Sequence, residues 1–210
     1  MATTTPNYGW DVPTSTDYVK DGATAIETLG DDIDASLFSI TSGKNVGLVA
    51  INATTITAQS TVTVDNVFTS SFDNYLIVLN TKNNANNDTA ITFQFRNSGS
   101  TIAGTAYSKN NIQSYGTTVS STGSNGTSNW NFGSVSQTSY SQTVATIGNP
   151  AVAKSKALQF QNAHAQTAFS ALDTNTGYGV NTTATAYDGL ILTVSAGTLT
   201  GTLKIYGYRN

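Results

Sequence analysis

The hydrophobic pattern changes period once along the chain, near residue 45. Before that point Val19, Ile26, Ile33 and Ile40 recur every seven residues, and Ala23, Leu29 and Leu37 fall between them on the same helical face. A lone helix cannot bury such a stripe, so the pattern predicts a coiled-coil-like partner helix. The spacing predicts a helix from about Thr16 or Asp17 to about Phe38, with Thr14, Ser15, Thr16 and Asp17 as N-cap candidates. Gly22 and Gly30 each cost roughly 1 kcal/mol relative to Ala inside a helix. They permit close helix approach, or else Gly30 ends one helix and Asp31 starts a second. About three heptads cannot hold three chains together unaided, which calls for an oligomeric head or a seat on a larger partner.

Residues 1–14 read as an extended arm, because Pro6 and Pro13 lack donors and bracket the aromatic pair Tyr8 and Trp10. From Val46 the period falls to two, with Thr, Val, Ile, Phe and Tyr in short runs. Strands are expected over Leu48–Ala53, Ser60–Val64, Tyr75–Asn80, Ala90–Arg96, Gly104–Ser108 and Trp130–Ser134. Further strands are expected over Gln142–Ile147, Ala157–Asn162, Thr167–Leu172, Thr183–Tyr187, Gly189–Ser195 and Gly201–Tyr208. Turn-forming residues punctuate them, and the nearly featureless stretch Ser120–Ser128 reads as a loop. No helix-length periodic segment interrupts the run. The expectation is a mainly β fold, an antiparallel jelly-roll-like β-sandwich head over residues 45–210, preceded by an arm and helical stem over residues 1–44.

Composition narrows the class. Only 10% of the 210 residues are charged, which leaves a neutral, β-friendly surface. The 38% of hydrophobic residues, regularly spaced, argues against disorder. There are no cysteines, so disulfides, thiolate metal sites and a cysteine nucleophile are excluded. The net charge of −3 is uneven: residues 1–34 hold seven carboxylates against the single Lys20, while the remainder is net basic without a cluster of nucleic-acid type. The acidic segment is either a docking element for a basic surface or the solvated side of a helix. The first ten residues lack the basic and apolar regions of a signal peptide, and no apolar run is long enough to span a bilayer.

No catalytic centre is expected. His164 is the only histidine and reads as an exposed or edge-strand residue. Asp31, Asp32 and Asp34 fall on the helix without the Gly turn of a calcium loop, so no metal or cofactor is expected there. Asp73 and Asp88 would have to converge in three dimensions to serve a glycosidase. Carbohydrate contact has better candidates. Trp130, within Ser128-Asn129-Trp130-Asn131-Phe132, offers a sugar-stacking face beside the expected loop, and Tyr107, Tyr115, Tyr140 and Tyr178 are further aromatics. The competing role for such residues is core or subunit interface.

Two parts of the chain resemble structural proteins of tailed bacteriophages. Residues Tyr8-Gly9-Trp10-Asp11-Val12-Pro13-Thr14-Ser15-Thr16-Asp17-Tyr18-Val19-Lys20-Asp21-Gly22-Ala23, followed by Ile26 and Leu29, are similar to N-terminal segments that recur in tail proteins. Phe72-Asp73-Asn74-Tyr75-Leu76-Ile77-Val78-Leu79, then Phe93-Gln94-Phe95-Arg96 and Gly201 through Tyr208, look like the sandwich domains of fibre, tail and capsid-decorating proteins. The resemblance covers about a third of the chain. It implies a homotrimeric virion component attached to other virion proteins by its N-terminal end with its head outward, and such segments mark location and not receptor. The expectation is a non-enzymatic appendage, assembled in the host cytoplasm, whose head touches a host glycan. It carries no catalytic residues. Oligomerisation and attachment would fall to Tyr8, Trp10, Val19, Ala23, Ile26, Leu29, Ile33, Leu37 and Ile40. The alternatives are a carbohydrate-binding module and a capsid decoration protein.

Overall fold

The computed structural model describes residues 3–16, 18–41, 47–137, 139–166 and 171–208. Its contacts divide the chain into two units, Met1–Gly47 and Leu48–Asn210. Asp17 and Lys44, and all but the end of the strand expected over Thr167–Leu172, lie outside the described residues.

In the first unit the expected extended arm is a small antiparallel hairpin, β1 (Thr3–Thr4) with β2 (Asp11–Val12). Gly9, at φ 69°, lets the chain reverse, and Thr5 closes the loop: its backbone N–H donates to Trp10 O (2.8 Å), while its Oγ1 accepts from Trp10 N (3.0 Å). The rings of Tyr8 and Trp10 stack at 5.2 Å. The helix α1 runs over Val19–Thr41, starting later and ending later than expected, and it passes through Gly30 unbroken. At 1.5 Å per residue it is about 35 Å long. The hydroxyls of Thr14 and Thr16 bond each other at 3.0 Å, upstream of the helix start, while Asp21 places a carboxylate in the first turn. Strand β2 packs against the helix.

The second unit is built from two antiparallel sheets. The larger contains β3 (Leu48–Gln59), β15 (Leu199–Tyr208), β5 (Asn74–Asn83), β11 (Ser141–Gly148), β12 (Lys156–Ala165), β13 (Leu172–Asn181), β8 (Tyr107–Tyr115) and β9 (Thr118–Thr127), in that spatial order. The smaller orders β10 (Trp130–Val135), β6 (Thr89–Asn97), β14 (Gly189–Val194) and β4 (Thr61–Val64), with the short β7 (Ser100–Thr101) beside β6. The inner faces share one core, in which alternate residues of β5, β6, β14 and β15 point inward as the period of two requires. Its centre is aromatic: Phe95 stacks on Tyr187 at 4.3 Å and Phe93 on Trp130 at 5.4 Å, while Tyr107 meets Trp130 edge-on at 5.3 Å.

Three expectations fail for physical reasons. Ser120–Ser128 is not a loop but most of β9, an edge strand exposed along almost its whole length, which pairs through its backbone and needs no apolar alternation. Strand β13 escaped detection because its inward positions are Asp173, Asn175, Gly177, Gly179 and Asn181, the reverse of the usual pattern. A Cβ on Gly177 would lie 2.1 Å from Phe160 Cε1, and one on Gly179 would lie 2.4 Å from Trp130 Nε1, so core rings occupy the space of the missing side chains. Thr183–Tyr187 is no strand. Asn181 Oδ1 accepts from Thr183 N and from Tyr187 Oη, both at 3.0 Å, and side-chain bonding replaces the ladder there.

Polar side chains hold two further points of the smaller sheet. The β10–β6 register slips between Asn131 and Ser134, and there Ser134 N donates to Asn162 Oδ1 (3.0 Å) while Asn162 Nδ2 donates to Ser134 O (3.1 Å). Arg96 forms a bidentate pair with Asp65, Nε to Oδ1 at 2.6 Å and Nη2 to Oδ2 at 3.2 Å, which raises the Arg96 pKa.

Candidate functional site

Two surfaces hold the residues expected to carry function, one in each unit. On α1 the apolar stripe is exposed: Val19 97%, Ile26 64%, Leu37 54% and Ile40 50%. Ile33 and Ala23 are exposed on the same line, whereas Leu29 is half-buried. The sheltered positions of the helix are Gly22, Ala25, Leu29, Asp32, Ser36 and Ser39, a line about a quarter turn away from the stripe. Only Leu29 belongs to both lines. Tyr8 is exposed and Trp10 half-buried.

In the second unit the aromatic candidates separate. Trp130 and Tyr107 are wholly buried, which corrects their expected role as sugar platforms. The Trp130 indole is packed among Phe93, Phe95 and Tyr107, and its Nε1 donates to Ser108 O at 3.1 Å. The Tyr107 hydroxyl accepts from Phe95 N at 2.9 Å, and burial pushes its pKa up to about 12. Both rings serve the core, where their polar atoms find backbone partners. Tyr115 and Tyr140 are exposed but far apart in the sheet: Tyr115 ends β8, and Tyr140 borders a cleft with Ile56 and Asn80 on the other side, its ring 5.7 Å from Lys82 Nζ.

His164 lies not at an edge but on the inner face of β12, opposite Asp173 and with Nε2 3.7 Å from Asp88 Oδ2. Asp73 and Asp88 do not converge. Asp73 precedes β5, whereas Asp88 adjoins Thr89, whose hydroxyl accepts from Asn83 at the other end of that strand, roughly 30 Å away.

What the fold does assemble is the outer face of the larger sheet. Its register sets Tyr178 of β13 between Gln159 of β12 and Asn110 of β8. The row behind it reads Val78, Val144, Gln161, Thr176 and Ile112 across five strands. From β5 to β9 the only charged side chain among the outward positions of these strands is Lys82. Shallow clefts open on this face, one of about 280 Å³ over Gln142, Gln161, Thr174 and Thr176, another of about 220 Å³ beside Tyr178. Tyr178 could be found in the sequence only as an aromatic within Gly177-Tyr178-Gly179; its neighbours come from strands far away in the chain.

No family model matches the chain. No curated protein matches it. Among solved structures it is similar to the CBM2 module of the evolved Dit of Lactobacillus casei BL23 phage J-1, over 80% of this chain and 92% of that chain, at 8% identity and a TM-score of 0.25. Among the described residues no helix is long and apolar enough to cross a membrane.

Proposed function

We propose that the chain is a structural component of a tailed-phage virion, a fibre-like appendage of the tail or capsid. Its N-terminal unit docks and trimerises through α1, and its β head faces outward for host-surface attachment, without enzymatic activity. The observation that carries this reading is the apolar stripe of α1. Val19, Ile26, Leu37 and Ile40 are half or more exposed on one chain, at the heptad spacing that a bundle of identical helices buries. Because the sheltered line of the helix lies beside the stripe, the stripe remains available to further copies.

The strand order supports a jelly roll for the head. In a jelly roll the eight strands divide between two sheets, ordered one-eight-three-six and two-seven-four-five. With β4, β5, β6, β8, β9 and β10 as strands one to six and β14 as strand eight, the smaller sheet β4-β14-β6-β10 has the first order. The larger sheet has the second, β5 to β8-β9, with the three-stranded meander β11-β12-β13 in place of strand seven and β15-β3 added at its edge.

The reading is tested on particles purified from cells that make the chain together with its genomic neighbours. Antibodies against residues 48–210 are expected to decorate intact virions at the tail or capsid in electron microscopy. Particles free of label would overturn it.

A further inference from the structure

We infer that the outer face of the eight-stranded sheet binds a neutral oligosaccharide, with the Tyr178 ring as stacking platform and Gln159, Asn110 and Asn125 as its hydrogen-bonding surround. The inference rests on the reading of the head as the outward, host-facing module. Tyr178 is 57% exposed, and antiparallel pairing sets Gln159 and Asn110 directly opposite it on either side. Directly paired side chains on one face have Cβ atoms about 5 Å apart, within reach of a single sugar ring. The cleft of about 220 Å³ runs from Tyr178 over Ser108, Asn110, Asn125 and Val180.

The chemistry of this surface matches one ligand class. A pyranose presents C–H bonds on its faces and hydroxyls at its rim. A flat aromatic ring covers the first, and primary amides, each both donor and acceptor, meet the second. Lys109, the one charged residue bordering the cleft, is paired with Gly179 on the inner face, where burial lowers its pKa. An anionic ligand would therefore meet no cationic clamp. The exposed apolar side chains of this face, Ile112, Val119, Leu172, Tyr178 and Val180, are interrupted by Ser121, Thr174, Thr176 and Asn110.

The platform is also rigid. Gly177 and Gly179 flank Tyr178, and the Phe160 and Trp130 rings fill the space beneath them, which pins the strand to the core. Trp130 Nε1 donates to Ser108 O (3.1 Å) and Val180 O (3.4 Å), carbonyls of two residues lining the cleft, so its indole N–H reports on events at Tyr178. The only other tryptophan, Trp10, lies in the separate N-terminal unit.

The test uses the full chain labelled with ¹⁵N and titrated with cellohexaose, maltohexaose and mannohexaose, with a heparin hexasaccharide as the anionic comparison. At least one neutral hexaose is expected to shift the Trp130 indole resonance saturably and leave that of Trp10 in place. Tyr178→Ala is expected to weaken binding about tenfold or more, Tyr178→Phe to retain it within about threefold, and Asn110→Ala with Gln159→Ala to weaken it again. Unmoved resonances with all three neutral sugars, saturation by heparin instead, or unchanged binding by Tyr178→Ala would each overturn the proposal. A smaller solution mass for Tyr178→Ala than for the natural chain would also overturn it, by making this face a contact between copies. Failure here with virions still labelled by antibody removes the glycan site alone, whereas unlabelled virions remove the appendage reading.

Discussion

Substituting Gly179 by Ala tests whether β13 is held by rings that need the absence of a side chain. The new Cβ would lie 2.4, 2.6 and 2.7 Å from Trp130 Nε1, Cδ1 and Cε2, so an atom pair that prefers about 3.5–4 Å must open by about 1 Å. The indole cannot simply retreat, because Phe93, Phe95 and Tyr107 surround it with ring centroids at 5.4, 5.2 and 5.3 Å. Overpacking of this kind costs about 1–3 kcal/mol. A tilted indole would also weaken its bond to Ser108 O, worth about 1 kcal/mol. Against these stands a gain of about 0.4–1 kcal/mol from the stiffer unfolded chain. The net is a destabilisation of about 1–3.5 kcal/mol, read as a lower urea midpoint at unchanged slope, or a melting temperature lower by about 2–14 °C. Combining it with Trp130→Phe, which removes the clashing pyrrole edge, is expected to show a favourable coupling of at least about 1 kcal/mol. Stability within about 0.5 kcal/mol of the natural chain, or strict additivity with Trp130→Phe, would refute the reasoning.

Other consequences are as direct. The Tyr107 hydroxyl titrates at about 12 in the fold against 10.0 ordinarily, so its contribution to stability is whole below pH 10 and falls as pH rises toward 12, by about 3 kcal/mol in all. Unfolding free energies between pH 9 and 12 should fall less steeply for Tyr107→Phe, and parallel curves would contradict this. Arg96→Met removes the fork from Asp65, and equilibrium unfolding should show a loss of about 2 kcal/mol, with Arg96→Lys recovering only part of it. Asn162→Leu leaves both backbone groups of Ser134 without their partner at the β10 slip and should cost about 2–4 kcal/mol by denaturant titration. Ile26→Asp with Ile33→Asp places like charges along the proposed seam, and sedimentation should show the assembly dissociated.

The strands readable in the sequence are those whose inward positions are apolar. Ile91, Phe93 and Phe95 in β6, and Leu203 and Ile205 in β15, alternate as a half-buried sheet demands, and their boundaries fell within a few residues. The far end of the larger sheet obeys another rule. Its interior is filled by hydrogen-bonded amides such as Asn111 and Asn175, 3.3 Å apart, and by rings lying on glycines, so a search for apolar alternation passes over β13 and, with a strand expected over Gly104–Ser108, meets only the first two residues of β8, Tyr107–Tyr115. The aromatic candidates failed for a related reason. Sequence places Trp130 beside a polar stretch, but that stretch is an edge strand, and the ring turns inward beneath Ser108 of β8 and Gly179 of β13. Cross-strand neighbours such as Gln159, Tyr178 and Asn110 become one surface only through register, which no local pattern encodes. The stripe of α1 was legible because helical periodicity is local, and its exposure on the single chain follows from the same spacing.

The most direct test of the account is the solution mass of the purified full chain by light scattering. It predicts three times the 21.9 kDa of one chain, reduced when residues 1–47 are removed or when Ile26 and Ile33 are changed to Asp. A mass of a single chain, with the helix intact by circular dichroism, would contradict it.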